Sequence, residues 1–381
     1  MQFSVSRMKP PASSVSALLS LAEESLADTQ GGFVLADHLP RNQTIGNWSA
    51  RGMHWSEMGP WYADSPDCGS RLGQCQLGMI GLAAFDRAVN GQVLDKAMAG
   101  REGILCGGAT NALRLVDGAG DGLPGFALEA YAGKWMAMTP GSEIRADVKD
   151  WLKASGRSVY WKRLDQHQKE SPMHLYGEAV NGSFLIKENG LDFEVSFQSG
   201  YSQGIFLDQR LNRAEVMRRM AGGGKLLNLF SYTGGFSVAG AMGGAETTTL
   251  DLSAPYLEWA KRNFRHNGLD HTRHHFCKGD AFHWLKRFAK QGRKFDGIVI
   301  DPPTFSRDEK GKVFRVEKDF GELAALAGKV LARGGWMLCC TNFRGISEND
   351  FMRMIAMPGM ESVAMPEDFP EEGYLKSVWC G

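Results

Sequence analysis

The segment Leu226-Leu227-Asn228-Leu229-Phe230, running straight into Ser231-Tyr232-Thr233-Gly234-Gly235-Phe236-Ser237, decides how this chain folds. The short apolar run has the length of a buried strand, the paired glycines make a turn, and the small residues beyond them read as a helix. The unit then recurs. Thr247–Leu250 leads into Asp251 and a helix through Phe264, and a short run near His275–Cys277 ends at Gly279-Asp280-Ala281. Gly297–Ile300 ends at Asp301-Pro302-Pro303, and Trp336–Cys340 follows the turn Arg333-Gly334-Gly335. Strands alternating with helices predict βαβ units, hence an α/β fold whose mostly parallel sheet carries helices on both faces. The last run, Leu375–Cys380, has no helix after it and predicts an edge strand that closes the sheet.

Toward the N-terminus the rhythm changes. From about Gly107 to Phe197, short alternating strands are broken at Asp117-Gly118, Gly120-Asp121-Gly122 and Pro124-Gly125. Asn181-Gly182 and Asn189-Gly190 sit between strand-like runs, as hairpin turns require. This predicts a small, mostly antiparallel α+β domain over residues 101–198, ahead of the α/β domain at 199–381. Residues 1–100 are irregular and rich in Gly, Pro, Ser and Trp, with helices expected near Val15–Ala27 and Gly81–Met98.

A length of 381 residues calls for two or three cores. With 43% hydrophobic and 23% charged residues the composition is that of a soluble globular protein. No apolar run approaches the roughly 18 residues of a membrane span, and Glu23 and Glu24 interrupt the first apolar stretch, so neither membrane nor leader is expected. The seven cysteines form no Cys-x-x-Cys pair and fit reduced thiols in a cytoplasmic protein. His266, His271, His274, His275 and His283 follow no ligand spacing, and no metal is expected. Basic and acidic residues balance at 43 each, against the excess common in nucleic-acid enzymes. A basic run between Leu257 and Phe295, opposed only by Glu258, Asp270 and Asp280, is either a phosphate-attracting stripe or a pair of solvated helix faces.

In an open α/β sheet ligands bind beyond the carboxyl ends of the strands, so the residue after each strand carries the chemistry. Gly234-Gly235 lets backbone N–H groups approach a ligand at a helix start. The spacing is neither Gly-x-Gly-x-x-Gly nor a phosphate loop, which disfavours a nicotinamide dehydrogenase. Asp251, about 20 residues on, is placed to accept from ribose hydroxyls, with Ser253 as a helix cap. Asp280 can accept from an adenine amino group. Asp301-Pro302-Pro303-Thr304-Phe305 is a rigid turn, rich in acceptors, beside an aromatic ring.

These residues resemble a class I methyltransferase of the 23S ribosomal RNA large-subunit methyltransferase family. The resemblance lies in FLDQR at Phe206–Arg210, NLFSYTGGFS at Asn228–Ser237, TTTLDLSAPYLEWAKRN at Thr247–Asn263, GDAFHWL at Gly279–Leu285 and DPPTFSR at Asp301–Arg307. VFRVEKDF at Val313–Phe320 and TNFRG at Thr341–Gly345 also fit, as do Arg114-Leu115-Val116 and DGLPG at Asp121–Gly125 in the middle domain. It implies a Rossmann-like sheet of seven strands with S-adenosyl-L-methionine as cofactor. Asn228, Ser231, Tyr232, Thr233 and Gly234, with Asp251, Leu252 and Ser253, would then hold its methionine and ribose parts. Asp280 and Ala281 would hold the adenine, and Phe206, Asp208 and Arg210 would close over it. Asp301, Pro302, Phe305 and Asn342 would handle the target base.

Methyl transfer from a sulfonium is an in-line displacement, so alignment and a dry polar site matter most. Cytosine C5 needs a thiolate to attack C6 first. Family members that make 5-methylcytosine carry a cysteine just past strand five, where this chain has Asn342, and a PUA domain that residues 1–100 do not show. Guanine N7 offers a lone pair and needs no base, and TNFRG with DPPTFS resembles the guanine-N7 members. An exocyclic amine would find acceptors in Asp301 and the Pro302 carbonyl. Phe305 can stack on a splayed base, and Asn342 and Arg344 can read a base edge. The expected partner is RNA, large-subunit ribosomal RNA in particular. A small-molecule or protein substrate, and a non-catalytic RNA-binding assembly factor, stay open, as does the oligomeric state.

Overall fold

The computed structural model describes residues 91–165, 170–307, 313–370 and 374–381, with the backbone alone for 305–307. The helix expected over Val15–Ala27 lies outside the described residues. Of the one expected over Gly81–Met98, residues 91–98 fall inside and are helical. Val93–Gly381 groups as one unit.

The chain first builds a five-stranded sheet from β1 (Ala112–Asp117), β2 (Ala127–Tyr131), β3 (Lys134–Thr139), β4 (Val159–Arg163) and β5 (Met173–Tyr176), in that spatial order. Only β3 and β4 are parallel, and α1 (Ala146–Ala154) connects them, as a parallel crossover demands. A hairpin follows, β6 (Ser183–Glu188) and β7 (Leu191–Ser196), with Glu188 opposite Leu191. Asn189 (φ 51°) and Gly190 (φ 80°) form its two-residue turn, the left-handed pair that suits a tight hairpin. Asn181-Gly182 departs from expectation. It joins β5 of one sheet to β6 of another rather than two paired strands, and the Gly182 N–H donates to Gln198 Oε1 at 2.9 Å.

The second sheet has seven strands. After α2 (Arg210–Arg219) come β8 (Lys225–Leu229), α3 (Gly235–Met242), β9 (Glu246–Asp251), α4 (Ala254–His266), β10 (His275–Lys278), α5 (Ala281–Lys290) and β11 (Phe295–Ile300). A small ribbon of β12 (Phe305–Arg307) and β13 (Val313–Arg315) leads into α6 (Val316–Val330) and β14 (Leu331–Thr341). The chain ends with α7 (Glu348–Ile355), β15 (Glu361–Val363) and β16 (Lys376–Cys380). The spatial order is β10-β9-β8-β11-β14-β16-β15. The first five are mutually parallel and β16 is antiparallel to both neighbours. The chain winds outward from β8 to β10, then returns to lay β11 on the other side, so the order reverses between β8 and β11 and a crevice opens at their carboxyl ends.

Two expectations are refined. Leu375–Cys380 is a strand, but a central one: β16 is buried along its length between β14 and β15, and β15 is the edge. Its apolar run has to be covered on both sides, which an edge cannot offer. The Arg333-Gly334-Gly335 turn is a bulge within β14, because Phe295 pairs with Leu331 while Gly297 already pairs with Trp336.

Alternate residues of each strand serve two cores. Leu227, Leu229, Ile298, Ile300, Met337 and Cys339 face α5, α6 and α7, with Phe282, Leu285, Phe288, Phe320 and Phe351. Leu226, Val299, Leu338 and Cys340 face the other way, against Val216, Met220 and Phe236 of α2 and α3. Burying each large side chain contributes about 1.5–3 kcal/mol, and this two-sided grip holds the strand ends still.

Candidate active site

The loop leaving β8 is strained. Phe230 (φ 55°) and Tyr232 (φ 50°) both adopt the left-handed conformation, at a cost of order 1–3 kcal/mol each. Surrounding bonds hold it: the Ser231 N–H donates to the Leu250 carbonyl at 2.9 Å, and Gly234 N–H to the Ser231 carbonyl at 2.8 Å. Thr233 Oγ1 donates to the Gly204 carbonyl, and Asn263 Nδ2 donates to the Thr233 carbonyl at 2.9 Å. Gly234 caps α3 at φ 79°, and a Cβ there would stand 2.7 Å from the Ala260 Cβ.

Asp251, at the end of β9, ties this loop to its neighbour. Its Oδ2 accepts from Tyr232 N–H and its Oδ1 from Ser253 N–H, both at 2.8 Å. Burial pushes its carboxyl up from the usual range, against the pull of backbone N–H groups of Ser253, Tyr232 and Leu252. Ser253 caps α4, and Asp280 caps α5 by accepting from His283 N–H at 2.9 Å. Asp251, Leu252, Asp280 and Ala281 line one cleft with Phe230 and Phe314, about 460 Å³ of empty space counting its solvent-open part.

Beside it, past β11, stands Asp301-Pro302-Pro303. Burial and the charge of Asp208 push the Asp301 carboxyl up to about 7, against the opposing effects of Arg213 and the Gln209 amide. Gln209 Nε2 donates to Asp301 Oδ2 at 3.1 Å. Asp208 accepts from the Tyr374 hydroxyl at 3.0 Å, and burial raises its carboxyl as well. Phe206 is exposed, with its ring 5.4 Å from that of Tyr232, which in turn meets Tyr256 edge-on at 4.6 Å.

A family model for S-adenosylmethionine-dependent methyltransferases matches residues 136–372, well over half of the chain. The chain belongs to this family. Ribosomal RNA large subunit methyltransferase K of Neisseria meningitidis serogroup B is 38% identical over 251 residues, covering 64% of this chain and 70% of that protein. Ribosomal RNA large subunit methyltransferase I of Shewanella denitrificans is 29% identical over 327 residues, 78% of this chain and 82% of that one. Among solved structures, SMU.776, in complex with SAH, superposes with a TM-score of 0.70 at 30% identity, over 77% of this chain and 81% of that one.

The methyltransferase uses S-adenosyl-L-methionine, and the residues at the strand ends fit it. Ser231 Oγ is a buried hydroxyl with no hydrogen-bond partner within the protein. Such a group is costly unless a ligand satisfies it. Gly234 lets the turn pack directly on Ala260 of α4, which holds the Ser231 loop in place beside Asp251.

Among the residues singled out from sequence, Asp251, Leu252, Asp280 and Ala281 share the cleft, and Ser231 to Gly234 form the loop bonded to Asp251. Two others are spent elsewhere. Asn228 is 1% exposed inside β8, donating to Ser237 Oγ at 3.0 Å. Arg210 is buried and forms a two-pronged ion pair with Asp368, at 3.0 and 2.8 Å. Pro302 is buried, and exposed Asn342 accepts from Thr304 Oγ1 at 2.8 Å. The Phe305 side chain lies outside the described residues. Gln209, Tyr256 and Phe314 join the site without having been foreseen. Gln209 lay within the FLDQR segment, but only the fold shows that it faces Asp301 across 92 positions of sequence. Among the described residues no group of His, Cys, Asp or Glu could hold a metal, and no helix is long and apolar enough to cross a membrane.

Proposed function

We propose that this methyltransferase acts on a base of large-subunit ribosomal RNA, with guanine N7 favoured over cytosine C5. The reading rests on one observation: a cleft lined by Asp251, Asp280 and Phe230 and a proline-stiffened turn bearing a carboxyl group occupy neighbouring strand ends. The relatives named for ribosomal RNA methylation support the choice of substrate.

In this reading Asp251 accepts from the ribose hydroxyls, and Asp280 with Ala281 meets the adenine edge. Ser231, Tyr232, Thr233 and Gly234 hold the methionine part, supported from beneath by Ser253 at the start of α4 and flanked by Phe206. When bound, the cofactor supplies an electrophilic methyl group on a sulfonium. The protein's share is to hold the acceptor atom in line and keep water out. Asp301 serves as the hydrogen-bond acceptor for an N–H of the target base, and the two prolines keep its backbone from moving. Pro302 and Asn342 flank the base with it, and Phe305 stacks on it.

Guanine N7 is favoured because, among the described residues, no thiolate stands beside Asp301. Cys339 and Cys340 are fully buried, and burial raises the Cys340 thiol well above its usual range, with Asp301 adding to the effect. Such a thiol is a poor nucleophile. Incubating the protein with labelled S-adenosyl-L-methionine and large-subunit ribosomal RNA from cells lacking the gene should yield 7-methylguanosine on nucleoside mass spectrometry. Label found only in 5-methylcytidine would overturn the choice of base, and an unlabelled RNA would overturn the substrate.

A further inference from the structure

A chain of buried side chains stands behind Asp301. Gln209, Asn212 and Ser377 are 2%, 5% and 3% exposed. Asn212 Nδ2 donates to Ser377 Oγ at 2.9 Å and to Gln209 Oε1 at 2.6 Å, and the Cys340 thiol adds a weak contact to the same oxygen at 3.9 Å. With its oxygen so occupied, the Gln209 amide has its nitrogen toward Asp301 Oδ2, at 3.1 Å. Turning the amide over would set nitrogen against the Asn212 nitrogen and oxygen against the carboxylate, leaving buried groups unsatisfied on both sides.

We propose that Gln209 is a positioning residue for the reaction, an amide fixed from behind by Asn212 that holds the Asp301 carboxylate in place and in its accepting form toward the target base. The proposal rests on the reading of Asp301 given above. The charged and titratable groups facing Asp301 are Asp208 from the turn Leu207–Gln209, Arg213 from α2 and Cys340 from β14. Asp208 favours the protonated acid, whereas Arg213 and Gln209 favour the carboxylate. Gln209 is the member of this set that reaches Asp301 through a neutral hydrogen bond, so removing it changes the balance without adding or deleting a charge.

The test is the pH dependence of the single-turnover methylation rate on ribosomal RNA, measured beside cofactor binding. The wild-type rate should rise through a limb near pH 7 as Asp301 ionises. Gln209→Met, similar in length but lacking the donor, should move that limb upward by about one unit while S-adenosyl-L-methionine affinity stays within about twofold of wild type. An unmoved limb in a variant that still binds cofactor would overturn the proposal. Because Gln209→Met could fail to fold, the wild-type protein supplies a second readout. With glutamine side chains labelled by ¹⁵N, the Gln209 amide signal should shift with the same midpoint as the rate, and a signal flat across that range would equally overturn it. Asp301→Ala separates the two levels. Full activity in that variant defeats the reading of Asp301 and this inference with it, whereas an inactive Asp301→Ala beside an unmoved Gln209→Met limb defeats the inference alone.

Discussion

Asp301 and Asp251 are both carboxyl groups at strand ends, yet their surroundings differ. Asp251 is held by backbone N–H groups, which offset much of what burial costs a charge. Asp301 has one amide donor and a second carboxyl group, Asp208, opposing it, and its pKa rises to about 7. The raised value has a consequence for stability. Between the ordinary aspartate range near 4 and pH 7 the native state binds more protons at this site than the unfolded chain, so stability falls as pH rises across that window. Asp301→Asn removes the penalty. Urea unfolding should show the variant equal to wild type near pH 4 and more stable at pH 8, by on the order of 2 kcal/mol after allowance for solvent screening.

Among the elements, the turn between β8 and α3 is where backbone strain and ligand chemistry meet. Gly234 adopts φ 79° with Ala260 of α4 directly beneath it, so a methyl group there meets both the left-handed penalty and a 2.7 Å contact. Gly234→Ala should cost about 1–3 kcal/mol of folding stability. Because the turn also carries Ser231 and Tyr232, isothermal titration should show S-adenosyl-L-methionine affinity reduced at least tenfold, since one tenfold step takes only about 1.4 kcal/mol. Unchanged affinity would mean that α3 shifts to absorb the methyl group without disturbing the loop.

Over the whole molecule, the β6–β7 hairpin connects the two sheets. Its turn reaches the five-stranded sheet side through Asn189 N–H to Thr110 Oγ1 at 3.1 Å and Asn111 N–H to the Lys187 carbonyl at 2.9 Å. Its other strand meets α4, where Trp259 Nε1 donates to the Glu194 carbonyl at 3.1 Å and Arg262 pairs with the Glu194 carboxylate at 2.8 Å. The buried pair Arg213–Glu188, at 2.6 Å and with side chains 4% and 1% exposed, fastens the hairpin to α2, and Arg213 also donates to the Phe206 carbonyl. Arg213→Met strands a buried carboxylate and should destabilise the protein by about 3–5 kcal/mol, whereas pairing it with Glu188→Leu should recover most of that loss. Chemical denaturation of the single and double variants checks this. A double variant no better than the single would show that the pair's value lies in the Phe206 contact instead.

The amino-acid order alone determined the α/β class, the strand-end positions of Asp251, Asp280 and Asp301, and the Asn189-Gly190 hairpin turn. These follow from local periodicity, glycine and proline geometry, and the rule that parallel sheets bind ligands at their carboxyl ends. Only the tertiary structure decided that β16 lies inside the sheet, that Arg210 is committed to Asp368, that the Asn228 amide is spent on Ser237, and that Gln209 backs Asp301. Each depends on which polar group lies opposite another across many residues of chain. Hydrophobic pattern announces that a side chain is buried, but not the partner that makes its burial tolerable.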